Sequence, residues 1–302
     1  MRDGKLKQNL LKLWYFSQDK IQLHRLRKDY GVCVMDSAET VKYIKEHHCS
    51  VARFGDGEFG IMLRRGGPLF QAETEKMSIA IRQVFENTSE SLLLCIPHAL
   101  VSTKGFEPWA KQFWEGWARN NQQVVVQEIR SLVGDSYRFG DAYVSRPYTA
   151  YKSARRAERM FSELKGLWRE RNLLIVEGTQ TRLGVGNDLF DNVKSIKRIL
   201  GPAENAYARY DEILNAVLET WQNELVILAL GPTATILASD LSKRGIQALD
   251  LGHIDIQYEW FLKGTKDFTP VAGKYTNEAV GGRCTQTCND KKYLDQIAVV
   301  VE

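Results

Sequence analysis

The stretch VARFGDGEFG, residues 51–60, carries one cation and two carboxylates, Arg53, Asp56 and Glu58, set among Gly55, Gly57 and Gly60. Val51 to Phe54 reads as a short strand with Arg53 at its end. The glycines read as a flexible turn beyond it. Asp and Glu two residues apart across a glycine can both face one ion in a loop. Hard divalent cations such as magnesium and manganese take carboxylate oxygens and keep open positions for phosphate oxygens. The competing reading is a salt bridge between Arg53 and Asp56, with Glu58 capping the next helix. Pattern alone leaves both open.

Three further clusters carry chemistry. In ALGPTATILA, residues 229–238, a strand ends at Gly231-Pro232 and Thr233 is placed to cap the helix that follows. The first-turn N–H groups of such a helix suit a phosphate, although an ordinary cap worth about 1 kcal/mol has the same signature. In VEGTQTRLGVGNDLF, residues 176–190, Gly178, Gly184 and Gly186 surround Arg182, with Asn187 and Asp188 after them. This is neither a Walker A loop nor a dinucleotide fingerprint, since both the following residues and the glycine spacing differ. The glycines would let the backbone approach a diphosphate, and Arg182 could neutralise it with a forked contact; a flexible loop with a surface arginine is the alternative. In DLGHIDIQYEWF, residues 250–261, a helix starting near Ile254 puts Asp255 and Glu259 on one face at i, i+4, with His253 over the sheet edge. A carboxylate there serves as a general base if burial raises its pKa toward neutrality.

The elements around these clusters alternate. SAETVKYIKEH reads as a helix with a Ser cap, and ETEKMSIAIRQVFEN as a helix with Met77, Ile81 and Phe85 on one face. Phe106 to Trp117 is aromatic and helical, GDAYVSRPYT is a strand end plus loop, and ARRAERMFSELKGLWRER is a charged amphipathic helix. SLLLCIP, NLLIVEG, SIKRILGP, the start of LVILALGPTATILASDLSKRG, and QALDLGH read as strands. YDEILNAVLETW is a helix, and IDIQYEWFLKG is expected to be the last one. Short apolar strands alternating with helices imply parallel βαβ units, hence one doubly wound α/β domain. Ligands sit beyond the carboxyl ends of strands in such sheets. The polar clusters do follow strands: Arg53, Asp56 and Glu58 one, Arg146 and Tyr148 a second, Glu177 and Arg182 a third, Thr233 and His253 two more.

Bulk properties narrow the class. The 302 residues suffice for a sizeable core, and a net charge of +4 does not argue for nucleic-acid binding. The longest apolar runs are too short to span a bilayer, and no apolar signal segment is visible, so a cytoplasmic protein is expected. Five cysteines at irregular spacing do not form a disulfide framework, and Cys284 and Cys288 lack two further partners for zinc. Residues 1–30 hold eight Lys and Arg against three Asp, with Trp14, Tyr15 and Phe16 in the middle. A basic amphipathic helix of this kind can lie on the inner face of an anionic membrane. The alternative is a helix packed on the domain or on a second subunit, as in a homodimer. We divide the chain into a basic helical extension, 1–35, and a single domain, 36–302.

RFGDGE, SRPYT, VEGTQTRLGVGNDLF, ALGPTA and LGHIDIQYEWF, in this order and spacing, resemble the bacterial GT-D-fold glycosyltransferase family, once a domain of unknown function. The resemblance covers roughly residues 36–275. It implies a Rossmann-like GT-D fold with a mainly parallel sheet flanked by helices. It implies metal-dependent transfer, with Mn2+ or Mg2+, from a nucleotide sugar, expected to be a UDP-sugar. The acceptor is a hydroxyl of a glycan, glycolipid or glycoprotein, as in polysaccharide biosynthesis. The family's D-x-E motif falls on Asp56 and Glu58, its histidine on His253 and its base on Glu259, with Asp255 and His253 as the alternatives for that role. A base on the acceptor face implies inversion at the anomeric carbon. Arg182, Asn187 and the turn Gly231, Thr233 and Ala234 are expected around the diphosphate. Arg53, Gly55, Asp56, Arg146, Tyr148 and Glu177 complete the nucleotide-sugar site. Gln180 and Gln257 stand where charged residues are expected. The rival readings are a metal-dependent nucleotide-sugar hydrolase and a non-catalytic nucleotide-sugar binding module.

Overall fold

Along NLLIVEG, Leu173 and Ile175 pack into one core layer, while Leu174 and Val176 pack into another. A strand apolar on both faces belongs inside a sheet covered on both sides. The computed structural model describes residues 32–302 apart from 88, 135, 284 and 286. Among these, nine strands form one sheet: β1 (Cys33–Val34), β2 (Ser50–Arg53), β3 (Leu92–Ile96), β4 (Arg138–Asp141), β5 (Asn172–Gly178), β6 (Ser195–Gly201), β7 (Leu225–Ala229), β8 (Ala248–Asp250) and β9 (Ile297–Val300). Their order is β1-β4-β3-β2-β8-β7-β5-β6-β9, and every pair is parallel. All carboxyl ends therefore lie on one edge.

The helices are α1 (Ser37–His47), α2 (Asp56–Met62), α3 (Glu75–Val84), α4 (Pro108–Val133), α5 (Ala154–Trp168), α6 (Tyr210–Thr220), α7 (Pro232–Ser242), α8 (Ile254–Leu262) and α9 (Lys291–Asp295). Apolar residues of α1, α5 and α8 cover one face of the sheet, and those of α3, α4, α6 and α7 the other. Met77, Ile81 and Phe85 are fully buried, as their spacing predicts.

Several boundaries differ from the sequence reading. The N-cap of α1 is Asp36, in a capping box with Glu39. Ser37 instead donates from its hydroxyl to Asp141 Oδ2 at 2.5 Å, tying α1 to the end of β4. The helix α8 is not the last: α9 and the edge strand β9 follow. Alternating partial exposure along β9 gives it only a weak sequence signal. Cys33 and Val34 pair with β4, so the sheet begins within the segment assigned to the extension. The basic, aromatic part of that extension, with Trp14, Tyr15 and Phe16, lies outside the described residues. Of the late cysteine pair, Cys284 lies outside them too, and Cys288 is free. Among the described residues, no helix is long and apolar enough to cross a membrane.

Candidate active site

The strands β2 and β8 lie side by side, and their ends are joined by Arg53 and Asp250. Arg53 Nη2 donates to Asp250 Oδ1 at 2.7 Å and Arg53 Nε to the Asp250 carbonyl at 2.6 Å. Asp56, the partner that the competing salt-bridge reading gave Arg53, is not the one it takes. Thr235 on α7 donates to the Arg53 carbonyl at 3.0 Å. A Cβ at Gly252 would stand 2.9 Å from Arg53 Nη2, so glycine leaves room for the guanidinium. Burial pushes the Asp250 carboxyl up, against the opposing charge of Arg53.

Asp56 and Glu58 occupy the first turn of α2, not a loop. Positions two apart on a helix do not face each other, and the two carboxylates differ accordingly. Glu58 Oε2 turns back to accept from the Gly55 N–H at 2.7 Å. Burial lifts its carboxyl to about 7, with the Gly55 N–H acting the other way. Asp56 is exposed on the wall of the cavity described below, where an acid at a helix N-terminus is favoured. Thus Glu58 is indeed a cap, and Asp56 is the exposed acid of the pair.

A second charged group stands opposite. Arg146 follows β4 by a 3-10 turn, Ala142–Ser145, and its Nη2 donates to Glu278 Oε1 at 2.9 Å. Glu278 Oε2 lies 2.6 Å from His253 Nε2. Burial and then Arg146 lower the His253 pKa. Glu278 is held well below the carboxylate range: burial opposes this, but the His253 and Arg146 charges outweigh it. These two shifts compete, because an imidazolium would strengthen the hold on Glu278. Lowered from 6.5, the His253 pKa leaves the ring neutral near pH 7. In that state Nε2 carries the proton toward Glu278. Nδ1 is then a lone-pair acceptor, buried and without a hydrogen-bond partner among the described residues.

Behind this group lies a support network. Asp255 and Glu259 do share a face of α8, and both bind Lys274 Nζ, at 2.7 and 2.9 Å. Asn187 Nδ2 donates to both carboxylates at 2.7 Å. Asp255 lines the cavity, whereas Glu259 does not. Glu177 is fully buried, pairs with Arg198 at 2.5 Å and accepts from the Leu183 N–H at 2.6 Å, which folds the loop after β5. The Arg182 guanidinium donates to the Gly273 carbonyl at 2.5 Å. Gln257 accepts from the Thr149 N–H at 2.9 Å and so pins the Arg146 loop onto α8. Tyr148, on the same loop, packs edge-on against Phe261. Thr233 is not a cap: Gly231 holds that position, and Thr233 Oγ1 donates to Gln71 at 3.3 Å. Ala234 is buried one residue further on.

These walls enclose a cavity of about 690 Å3 at the carboxyl edge of the sheet, a size typical of small-molecule sites. Of the expected site residues, Arg53, Gly55, Asp56, Glu58, Arg146, Gly231, His253 and Asp255 line it. Tyr148, Glu177, Arg182, Asn187, Thr233, Ala234 and Glu259 do not. Gly231, at φ 55°, sits beneath Phe70, whose ring occupies the space a Cβ would take. Sequence reasoning missed Asp250, Lys274 and Glu278. A polar residue closing an apolar strand could have marked Asp250. Lys274 and Glu278 lie in an irregular loop with no periodicity to expose them.

Comparisons with known proteins agree with this architecture. The family model described as "Glycosyltransferase GT-D fold" matches residues 51–279. The glycosyltransferase GlyD of Streptococcus pneumoniae serotype 4 is 37% identical over 259 residues, 86% of this chain and 31% of that protein. The probable glycosyl transferase Gly of Streptococcus gordonii is 34% identical over 267 residues, 88% of this chain and 38% of that protein. The chain thus spans about a third of the length of these curated relatives. A solved structure described as domain of unknown function 1792 with a distinct glycosyltransferase fold superposes at a TM-score of 0.85 with 34% identity, covering 94% of this chain and all of that one. A glycosyltransferase of the same domain from Streptococcus sanguinis gives 0.81 at 34% identity, covering 90% of this chain and all of that one.

Proposed function

Because the chain belongs to the glycosyltransferase family of the GT-D fold, we propose that its cavity binds a nucleotide sugar, with UDP as the nucleotide. The sugar passes to a hydroxyl of a glycan, glycolipid or glycoprotein acceptor. One observation carries this reading. At the junction of β2 and β8, a single cavity brings together an exposed acid, Asp56, a cation, Arg146, and Gly231 at the turn into α7. Arg146 suits the diphosphate that leaves.

A divalent ion fits here as well. Asp56 offers a carboxylate on the wall, while Glu58 is turned back onto the Gly55 N–H and would add at most its second oxygen. Among the described residues no three His, Cys, Asp or Glu groups cluster as a metal cage. One carboxylate plus phosphate oxygens and water is a donor set that Mg2+ takes. Bound there, the ion would supply positive charge to the leaving diphosphate.

In the transfer, the acceptor oxygen bonds to the anomeric carbon while the bond from that carbon to the phosphate oxygen breaks. The electron pair stays on the diphosphate, and the hydroxyl proton must go to a base. Glu259 is the base implied by the family resemblance, but its carboxylate is engaged by Lys274 and Asn187. His253 lines the cavity with an Nδ1 unpaired among the described residues, which is buried here, so a shift of the ring or its cover would have to open it to the acceptor. Glu278 at Nε2 would stabilise the imidazolium once formed. We therefore assign the base to His253 and an orienting role to Glu278, with Asp255 and Glu259 holding the start of α8. A base on the acceptor face gives inversion.

The test is product analysis. The chain is incubated with a UDP-sugar panel, Mn2+ and a glycan acceptor mixture, and the fate of the sugar is followed by mass spectrometry. Sugar on acceptor is expected. Free sugar as the main product would make the chain a hydrolase, and binding without turnover would make it a binding module.

A further inference from the structure

The segment 265–283 after α8 is an irregular strap, and Tyr275, Asn277 and Glu278 on it line the cavity. Polar contacts tie it down. Lys266 Nζ donates to the Tyr151 carbonyl at 2.5 Å and the Tyr275 N–H to the Gln180 carbonyl at 2.9 Å. The Thr269 carbonyl accepts from the Trp260 indole at 2.9 Å. Lys274 is the deeply buried cation of the strap, 5% exposed, and its ammonium is shared between Asp255 and Glu259 on α8. No step of the transfer uses Lys274, and it does not line the cavity. A buried ion pair is by itself weak evidence for stability. This one stands where it can act on the site.

Lys274 and Glu278 belong to one tight fold of the chain with the buried Thr276 at its centre. The Thr276 hydroxyl donates to the Lys274 carbonyl and accepts from the Val271 N–H, both at 3.2 Å. The Thr276 N–H donates to the Gly282 carbonyl at 2.7 Å, and the Thr276 carbonyl accepts from the Ala279 N–H at 3.2 Å. A Cβ at Gly282 would collide with the Thr276 carbonyl oxygen, so this closure requires glycine there. A displacement of Lys274 is therefore passed on to Glu278. Across the gap, Asp255 follows His253 by two residues at the start of α8. Two rungs thus join the strap to α8: Lys274 to Asp255 at 2.7 Å, and Glu278 to His253 at 2.6 Å. Their polarity is opposite, since the strap supplies the cation of the first and the anion of the second. A slip of the strap one way carries Lys274 toward Arg146. A slip the other way carries Glu278 toward Asp255. Either move sets like charges against each other, which is unfavourable.

We infer that Lys274 is a positioning residue for the transfer: it fixes the register of the strap on α8, so that Glu278 meets Nε2 of His253. This rests on the reading of His253 as base and Glu278 as its orienting partner. Lys274 touches neither the imidazole nor the cavity and acts through Glu278 alone. A carboxylate displaced by about 1 Å no longer orients the ring for proton transfer, and misplacement of that size is costly in rate.

The experiment is a double-mutant cycle on the whole chain: wild type, Lys274→Met, Glu278→Gln and the double variant. Turnover is measured with the UDP-sugar panel, Mn2+ and glycan acceptor mixture at saturation, and UDP affinity by calorimetry. Proton NMR follows the downfield Nε2–H resonance of His253, assigned by its loss in His253→Gln. Lys274→Met should lower turnover about tenfold or more and lose that resonance, with UDP affinity within about twofold of wild type. In the Glu278→Gln background, Lys274→Met should cost less than about a further twofold. If Lys274→Met alone gives no cooperative melting, Lys274→Met/Glu259→Gln takes its place and Glu259→Gln serves as its reference. That pair removes the ammonium with one of its two carboxylates, so the charge of the buried group is unchanged. Equal costs of Lys274→Met with and without Glu278 overturn the proposal, because the lysine would then be a structural support only. An unchanged His253 resonance in Lys274→Met overturns it too, as does a loss of UDP affinity to match the loss of turnover. Wild-type turnover in Glu278→Gln instead removes the orienting role of Glu278, and this proposal with it, so the two failures are told apart.

Discussion

Glu278 stands between His253 and Arg146, with one carboxylate oxygen 2.6 Å from the imidazole and the other 2.9 Å from the guanidinium. A residue from the irregular segment after α8 thereby joins the start of α8 to the loop after β4, at the centre of the cavity.

That linkage sets a pH dependence. The ordinary pKa of His253 is 6.5, and burial with Arg146 lowers it in the fold. Below 6.5 the unfolded chain therefore binds the proton first, and stability falls as pH drops. Glu278 adds a second loss below its ordinary 4.5, because the folded carboxyl stays ionised under the His253 and Arg146 charges despite its burial. Melting temperatures measured from about pH 8 to about pH 2 should be level at the top of the range, fall through the histidine range and fall again below the carboxylate range. His253→Gln should flatten the first decline, and Glu278→Gln the second. A wild-type profile as flat as that of His253→Gln would contradict the assignment.

Much of this frame was legible in the sequence. NLLIVEG is β5 residue for residue, and the i, i+4 pair Asp255 and Glu259 does share a face. Polar clusters beyond apolar strands marked the right edge, because a parallel sheet sends all its carboxyl ends one way. Side-chain direction was not legible. Glu177 closes β5 and Arg182 follows it as Arg146 follows β4, yet one is buried against Arg198 and the other reaches the Gly273 carbonyl. Which way a side chain turns depends on partners distant in the chain, and local pattern contains no record of Arg198 or Gly273. Asp56 and Glu58 were read as a loop because glycines flank them. The Glu58 cap on the Gly55 N–H makes them a helix start instead.

The pair Glu177–Arg198 gives a structural control. Glu177→Ala leaves a buried guanidinium without its carboxylate, a change that typically costs about 3–5 kcal/mol. Urea unfolding should show a lower midpoint with an unchanged slope. A change under about 0.5 kcal/mol would mean that the buried pair adds little to the fold.

The base assignment separates two variants. His253→Gln removes the proton acceptor and should lower kcat by about a hundredfold to ten-thousandfold, with UDP affinity kept. Glu259→Gln removes a charge bound to Lys274 outside the cavity and should act mainly on stability, with kcat down by less than about tenfold. Steady-state kinetics with paired UDP calorimetry measure both. The reverse ranking would return the role of base to Glu259.

Gly231 is a third probe. Any Cβ there meets the Phe70 ring and also strains a backbone at φ 55°. Gly231→Ala should lose about 1–3 kcal/mol of stability and weaken UDP binding, because the turn into α7 must shift. Phe70→Ala in the same chain should recover part of the stability, as double-variant unfolding curves would reveal. No recovery would place the strain in the backbone alone.

The most direct test of the whole account is calorimetric titration of UDP in Mn2+ against wild type, wild type with excess EDTA, and Asp56→Asn. Asp56 is exposed and makes no hydrogen bond among the described residues that would hold the fold together, so the variant should melt as the wild type does. The account predicts clear UDP binding by the wild type, and loss of about tenfold or more in affinity both with EDTA and in Asp56→Asn. UDP binding of equal strength in all three would contradict a metal-assisted donor site at the end of β2.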